Sequence, residues 1–380
     1  MNKEILKAKE LSLPIMYSEG SCDEALIKRL DSYFEFLFRT KKCSLITREE
    51  INKFKIDIKK MFVEYYLGHQ YKAYSVFKDA LQDLTHGMDL VTTILPKESL
   101  YRARINEDNQ DYRNDEMFHI KYCHRSKVQT QRFSFPGLPC LYLGGSSYVC
   151  WLELNRPSFD KFQVAYIRQR DNKKEYKVID LSIHPLHLYN ELIAIEKNSS
   201  SGSQTLPTVE KYLKWWPIIA CCSVAVKNED DPFKPEYIFP QFMLQYLLEE
   251  QEDLIGIRYL SIKAGRISMK QYETDYRTCI NFVIPTRSVE PDDEGFCTKL
   301  NEQFKIGKNI SGKELQVASD MIRENGIAWG SFDSDASSLD SAKIYGTNDT
   351  EYLYKDSIFR RIENILDTED SILNNMISKR

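Results

Sequence analysis

The chain has 380 residues, of which 42% are hydrophobic, so it can bury a sizeable core and lacks the composition of a disordered chain. Its net charge of −4 and its lack of a long basic block argue against nucleic acid or an anionic membrane as the main partner. The 9 cysteines lack metal-binding spacing, and the N-terminal residues contain no continuous apolar signal segment. We therefore expect a cytoplasmic protein with reduced thiols, no metal site and no membrane-spanning segment.

The first 95 residues are predicted to form a helical N-terminal domain. Apolar residues recur at helical spacing over residues 23–39, and Thr47 with Glu50 forms a capping-box pattern ahead of a second apolar run. A third helix is expected over residues 71–84. The sequence leaves open whether this domain acts as a lid, as a homodimer surface or as a docking site for a partner.

Residues 96–290 are predicted to form an α+β domain. Short apolar runs that are typical of strands alternate there with turns: CLYLG, FQVAYI, YKVIDLS, CCSVAV, GIRYLSI and INFVIP. Helices are expected over residues 147–155, 210–216 and 240–250. Because strands and helices do not alternate strictly, this pattern favours α+β over a doubly wound parallel sheet.

Residues 291–380 are predicted to form a partly helical C-terminal extension. Helical periodicity occurs over residues 312–325 and 357–378. A segment rich in glycine, serine and aspartate separates these two stretches and is typical of a loop.

Three residues between positions 131 and 154 have polar groups in an otherwise apolar context. Arg132 precedes a Pro-Gly turn, Tyr142 lies in a buried strand, and Glu153 lies on the apolar face of a predicted helix. A buried carboxylate needs either a partner or a chemical task, and Arg132 is the nearest candidate partner for Glu153. Tyr142 either packs in the core or lines a pocket.

Two arginines upstream of this segment carry groups suited to a nucleotide, and a serine downstream of it follows a strand. Arg102 and Arg104 alternate in an extended run, so they share one face and either bind a pyrophosphate or form a solvated edge. Ser261 follows a predicted strand, where a serine is usually a cap or a turn residue. His119 and His124 lack the further ligands of a metal site, and His184 and His187 are expected in a loop.

The order of these motifs resembles the RES domain. The motifs are Tyr-Arg at 101–102, Arg132 before a Pro-Gly turn, Leu-Tyr-Leu at 141–143, Glu153, Pro-Gln at 240–241 and Gly-Ile-Arg-Tyr-Leu-Ser at 256–261. The family includes bacterial toxins that consume NAD and are usually encoded beside an Xre-type antitoxin. The resemblance covers residues 100–263 and implies an ADP-ribosyltransferase-like split β core with flanking helices.

The resemblance also implies roles for five residues. Glu153, Arg102 and Ser261 would be catalytic, and Arg132 and Tyr142 would bind the substrate. Arg104, which shares a face of the predicted strand with Arg102, is a further candidate for substrate binding. NAD would be a consumed substrate, since no dinucleotide-binding glycine motif occurs, and neither a cofactor nor a metal would be needed.

The reaction implied is cleavage of the nicotinamide–ribose bond of NAD, with inorganic phosphate or water as acceptor. Such an enzyme would be an NAD phosphorylase or an NAD glycohydrolase, and it would serve as a toxin or defence effector with an Xre-type antitoxin as partner. Transfer of ADP-ribose to a protein is an alternative. A catalytically silent nucleotide-binding or scaffold module is a second alternative, because the Arg132 motif reads Gln-Arg-Phe-Ser instead of Gly-Arg-Trp-Asn and the chain has long extensions.

Overall fold

In the computed structural model, the chain has an α+β fold, as the sequence predicts. It describes residues 3–40, 47–86, 88–106, 111–198, 206–265 and 276–311, together with residues 314, 359–360, 362–364 and 366–367. The predicted helix at 312–325 falls almost entirely outside these residues, and the predicted loop between residues 325 and 357 lies wholly outside them. No helix within the described residues is long and apolar enough to cross a membrane.

Helices and strands alternate irregularly along the chain. The helices are α1 (Cys22–Arg39), α2 (Arg48–Tyr66), α3 (Gln70–Leu84), α4 (Ser147–Glu153), α5 (Pro185–Asn198), α6 (Val209–Cys222), α7 (Ile238–Glu250), α8 (Ile262–Gly265) and α9 (Thr298–Gln303). The strands are β1 (Thr92–Ile94), β2 (Leu100–Ile105), β3 (Cys140–Gly144), β4 (Phe162–Gln169), β5 (Lys177–Leu181), β6 (Leu254–Leu260), β7 (Ile280–Pro285) and β8 (Phe304–Ile310).

These elements belong to two compact units that interleave along the chain. The first unit comprises Met1–Ile94, Gln129–Pro136 and Tyr176–Ile262, and the second comprises the remaining segments. The predicted division into residues 1–95, 96–290 and 291–380 stays a prediction.

Helices dominate the first unit. The capping box of α2 is formed as the sequence predicts, because the Thr47 side chain accepts the Glu50 N–H and the Glu50 carboxylate accepts the Thr47 N–H. Strand β5 pairs antiparallel with β1 and parallel with β6, and Asp180 on β5 lies opposite Arg258 on β6.

The prediction of a strand at CCSVAV is wrong, because helix α6 continues through Cys222. The helix also continues past Pro217, which has no N–H to donate to the carbonyl of Leu213. The hydroxyl of Tyr33 donates to that carbonyl instead, at 2.6 Å. Since this helix is buried on every face in its last turns, its apolar run has no helical period that would distinguish it from a strand.

The expectation that His184 and His187 lie in a loop holds only for His184. His187 lies in α5, which begins at Pro185, an ordinary first residue for a helix. Both rings are largely buried, and burial lowers the pKa of His184 to about 3 and that of His187 to about 4.

The second unit is built on five antiparallel strands in the order β7-β3-β2-β4-β8. Strand β8 lies in the segment that the sequence predicts to be partly helical. Its pairing with β4 over long sequence separation, rather than local periodicity, determines its conformation.

Described residues near the C-terminus pack against α4 within the second unit. The buried carboxylate of Glu363 accepts the backbone N–H of Ser147 at 2.7 Å and its hydroxyl at 3.1 Å. The ring of Phe359 contacts Trp151 and Tyr148. The C-terminal extension therefore contributes to the packing of α4, whose other end carries Glu153.

Candidate functional site

Strands β2 and β3 are neighbours in the second unit but separate after one point of pairing. They pair in register at Tyr101 and Gly144, whereas β2 pairs with β4 along its whole length. Side chains donate hydrogen bonds to two backbone carbonyls next to this point of pairing. Nη1 of Arg102 donates to the carbonyl of Tyr142 at 3.1 Å, and the thiol of Cys150 donates to the carbonyl of Tyr101 at 3.2 Å. The backbone pairing of the two strands thus ends at Tyr101, and the Arg102 side chain bonds from one strand to the other beyond this point.

Arg102 is a largely buried cation without an acidic partner among the residues that the structure describes. Its Nε is buried and has no hydrogen-bond partner there, and the same holds for Nε of Arg104. Burial, and then the positive charge of Arg104, lowers the pKa of Arg102 to about 9, and burial lowers that of Arg104. Since this pKa lies above neutrality, Arg102 remains charged at pH 7. Two such cations side by side form a strong positive potential that an anion would relieve.

Arg104 is held by its surroundings rather than by a carboxylate. Its Nη2 donates to the carbonyl of Phe118 at 3.4 Å, and its guanidinium lies 5.3 Å from the ring centroid of Tyr112. These contacts fix the side chain without neutralising its charge.

Glu153 is the last residue of α4 and is only half-buried. Its Oε1 accepts a hydrogen bond from Nδ2 of Asn281 at 2.7 Å. Asn281 lies on β7 opposite Gly144, so this bond brings Glu153 to the end of β3 at which β2 and β3 pair. The expectation of an arginine partner within the segment overlooked Asn281, whose signal in the sequence was an amide inside the apolar strand INFVIP.

Two features hold α4 in place. Nζ of Lys263 donates to the backbone carbonyl of Glu153 at 2.8 Å and to Oδ1 of Asn155 at 2.6 Å. A methyl group at Gly144 would lie 2.7 Å from Sγ of Cys150 and 2.9 Å from the carbonyl oxygen of Ser146. Glycine at this position therefore lets α4 approach β3 closely.

Arg132 and Ser261 belong to the first unit. Nη1 of Arg132 donates to the carbonyls of Cys222 at 3.3 Å and Val224 at 2.9 Å, at and just beyond the end of α6, where a cation complements the helix C-terminus. Ser261 is buried and lies between β6 and α8. Their predicted roles in substrate binding and catalysis stay predictions, as do those of Arg102, Arg104, Tyr142 and Glu153.

His119 is a buried neutral histidine in the second unit. Its Nδ1 donates to the carbonyl of Ile120 at 2.8 Å, and its Nε2 accepts the N–H of Cys297 at 2.9 Å. Burial lowers the pKa of His119 to about 4. The described residues contain no group of three or more side chains suited to bind a metal ion.

The chain is 32% identical over 278 residues to a protein of Bacillus subtilis (strain 168) named "Putative toxin YopC". The aligned region spans 71% of this chain and 61% of that relative, so it covers less than two thirds of the relative's length. No protein-family model matches the chain, and no solved structure matches it significantly. Across the greater part of its length, the chain is thus similar to a protein named as a toxin.

Proposed function

We propose that this chain is a toxin that degrades NAD by cleaving the nicotinamide–ribose bond, with inorganic phosphate or water as acceptor. The observation that carries the proposal is the pair of largely buried arginines on β2, neither of which forms an ion pair with a described carboxylate. NAD would be consumed as a substrate and no metal would be required.

The arginine pair has the charge and geometry to bind a pyrophosphate. A guanidinium offers N–H groups in a planar fork that matches phosphate oxygens, and the buried Nε atoms of Arg102 and Arg104 are two donors without a partner among the described residues. Because protein donors at such a depth usually have partners, unpartnered ones indicate a ligand site. Tyr142, whose carbonyl Arg102 contacts, would line the adjoining part of the pocket.

The separation of β2 from β3 supports an ADP-ribosyltransferase-like split β core. In that arrangement, the substrate would enter between the two strands beyond Tyr101 and Gly144. Glu153 would then lie at one end of the opening, held there by Asn281.

The proposed reaction begins with cleavage of the bond between C1′ of the ribose and N1 of nicotinamide. The bonding electrons pass to the pyridinium nitrogen, so nicotinamide leaves as a neutral molecule and positive charge develops on the sugar. The carboxylate of Glu153 would stabilise that charge. An oxygen of phosphate or water then bonds to C1′, and a proton passes to solvent when water is the acceptor.

The similarity to YopC supports the toxin role. An Xre-type antitoxin is the partner that follows from the RES resemblance, and a homodimer through the N-terminal helices is a further proposal. Transfer of ADP-ribose to a protein side chain uses the same cleavage step and differs only in the acceptor, so it remains the alternative reaction.

Controlled expression in a bacterial host tests the proposal. We expect growth arrest accompanied by a fall in cellular NAD, and neither effect for Glu153→Gln at equal protein level. Glu175→Gln, which removes an exposed carboxylate of the same unit, is the matched control and should remain toxic. Arrest that persists in both Glu153→Gln and Arg102→Met, or arrest with an unchanged NAD level, would disprove NAD degradation as the cause of toxicity.

A further inference from the structure

The first unit contains a cavity of about 210 Å³ whose lining includes none of the residues of the predicted NAD site. Its walls include Tyr17, Cys22, Tyr66, Phe233 and Glu236. Three of these are aromatic and one is acidic, a combination that differs from an ordinary apolar packing defect.

Glu236 places a buried and incompletely bonded carboxylate in this cavity. Its side chain is only 3% exposed. Oε1 accepts hydrogen bonds from the hydroxyl of Tyr17 at 2.5 Å and from the backbone N–H of Lys227 at 3.0 Å. Oε2 is buried and accepts no hydrogen bond from any described residue. Since an unbonded buried carboxylate oxygen is costly, a donor from outside the chain would stabilise it.

The basic side chains that line the cavity do not supply that donor. Nζ of Lys227 donates to the carbonyl of Gly20 at 3.3 Å, and Nζ of Lys234 donates to the carbonyl of Asp231 at 2.6 Å. Within the part of the chain that the structure describes, no cation lies at ion-pair distance from Glu236. The carboxylate therefore keeps an oxygen that no described donor or cation uses.

The aromatic walls favour a flat cation. The rings of Tyr66 and Phe233 meet edge to face with centroids 6.4 Å apart. Aromatic faces attract cations, and a guanidinium additionally stacks on them through its planar surface. The thiol of Cys22 is no competing anion, because burial and the charge of Glu236 raise its pKa well above the usual range.

We propose that this cavity binds a guanidinium group, which donates to Oε2 of Glu236 and stacks against the aromatic walls. A planar guanidinium satisfies both features at once, whereas a compact, strongly hydrated ammonium satisfies only the charge.

The guanidinium has two sources with the same chemistry. One is a small molecule such as agmatine, and the other is an arginine side chain on the surface of a partner protein. Tyr66 and Phe233 are 49% and 50% exposed, so the mouth of the cavity is accessible to either.

Calorimetric titration of the full chain with agmatine tests the proposal, with butylamine as an ammonium of similar length. We expect agmatine to bind, butylamine to bind at least about tenfold more weakly, and Glu236→Gln to weaken agmatine binding at least about tenfold. Asp230→Asn removes an exposed carboxylate of the same loop that does not line the cavity, and it should leave binding unchanged. A blocked arginine tripeptide distinguishes the sources, since tighter binding than agmatine assigns the site to a protein arginine and weaker binding assigns it to a small molecule.

Phe233→Ala provides a second test in case Glu236→Gln fails to fold, because Phe233 is half-exposed. We expect it to weaken agmatine binding about threefold to tenfold through loss of the stacking face. Absence of agmatine binding up to about 10 mM, equal affinity for butylamine, or unchanged affinity in the folded variants would overturn the proposal. The result is independent of NAD turnover, which can be measured in the same samples.

Discussion

Replacing Arg102 by methionine separates a ligand-binding arginine from a structural one. Methionine retains an unbranched apolar stem of similar length but removes the charge. Replacing an arginine that stabilises the fold through a buried ion pair should lower the free energy of unfolding by about 3–5 kcal/mol. Arg102 forms no ion pair with a described residue, so its replacement breaks no such pair and instead removes an uncompensated buried charge.

The structure gives two opposing contributions for Arg102→Met. The lowering of the Arg102 pKa to about 9 corresponds to roughly 4–5 kcal/mol against the charged form, of which about half remains after allowance for partial exposure. Removing the charge recovers that amount, while loss of the bond to the Tyr142 carbonyl costs about 1.5–3 kcal/mol. We therefore expect the free energy of unfolding to change by less than about 1 kcal/mol.

Denaturant-induced unfolding measures this change, with and without pyrophosphate. Arg168→Met is the matched contrast, because Arg168 on the neighbouring strand β4 pairs with Asp367 at 2.8 Å, and its loss should cost about 1–3 kcal/mol. Pyrophosphate at about 100 times its Kd should stabilise the wild type by about 2.7 kcal/mol and leave Arg102→Met unaffected. A loss above about 3 kcal/mol for Arg102→Met, or an undiminished response to pyrophosphate, would refute a ligand-binding role.

The packing and hydrogen bonds of the second unit give three further predictions. Gly144→Ala should lower the free energy of unfolding by about 1–3 kcal/mol, because the new methyl group meets Sγ of Cys150 and the Ser146 carbonyl; unchanged denaturation would contradict the close packing of α4. His119 binds a proton in the unfolded chain near pH 6.5 but in the folded chain only near pH 4, so stability should fall as the pH drops through this window. This residue should contribute a slope of up to about 1.4 kcal/mol per pH unit to the dependence of the free energy of unfolding on pH. His119→Gln should remove that contribution in unfolding curves recorded from about pH 4 to 7. Asn281→Ala should reduce NAD turnover about tenfold or more by removing the amide that orients Oε1 of Glu153, and equal kcat in the folded variant would exclude a positioning role for Asn281.

Local signals in the sequence predict much of the fold. The capping box of Thr47 and Glu50 and the apolar periodicity of α1 act within one helix, so they can be read without knowledge of the tertiary structure. The helix predicted at 210–216 ends too early, because α6 continues past Pro217. The carbonyl of Leu213 that proline leaves without a donor is bonded by Tyr33, which is distant in the chain.

The candidate site is predictable only in part from the sequence, because its residues are contacted by groups that are distant in the chain. The alternation of Arg102 and Arg104 is local and visible in the sequence, but the absence of an acidic partner among the described residues is a property of the folded protein. Likewise, the half-buried Glu153 takes its hydrogen bond from Asn281, and the N-terminal end of its helix is bonded by Glu363 of the C-terminal extension. Such pairings arise from strand order and chain packing, which no local pattern encodes.

The release of nicotinamide from NAD by the purified protein tests the central claim most directly. Chromatographic separation of the products, with and without inorganic phosphate, would also identify the acceptor. We expect nicotinamide to accumulate in equal amount to the NAD lost, and Glu153→Gln to abolish this while retaining the wild-type unfolding transition. NAD that stays intact in the presence of phosphate and of cell lysate, or turnover that survives in Glu153→Gln, would contradict the claim.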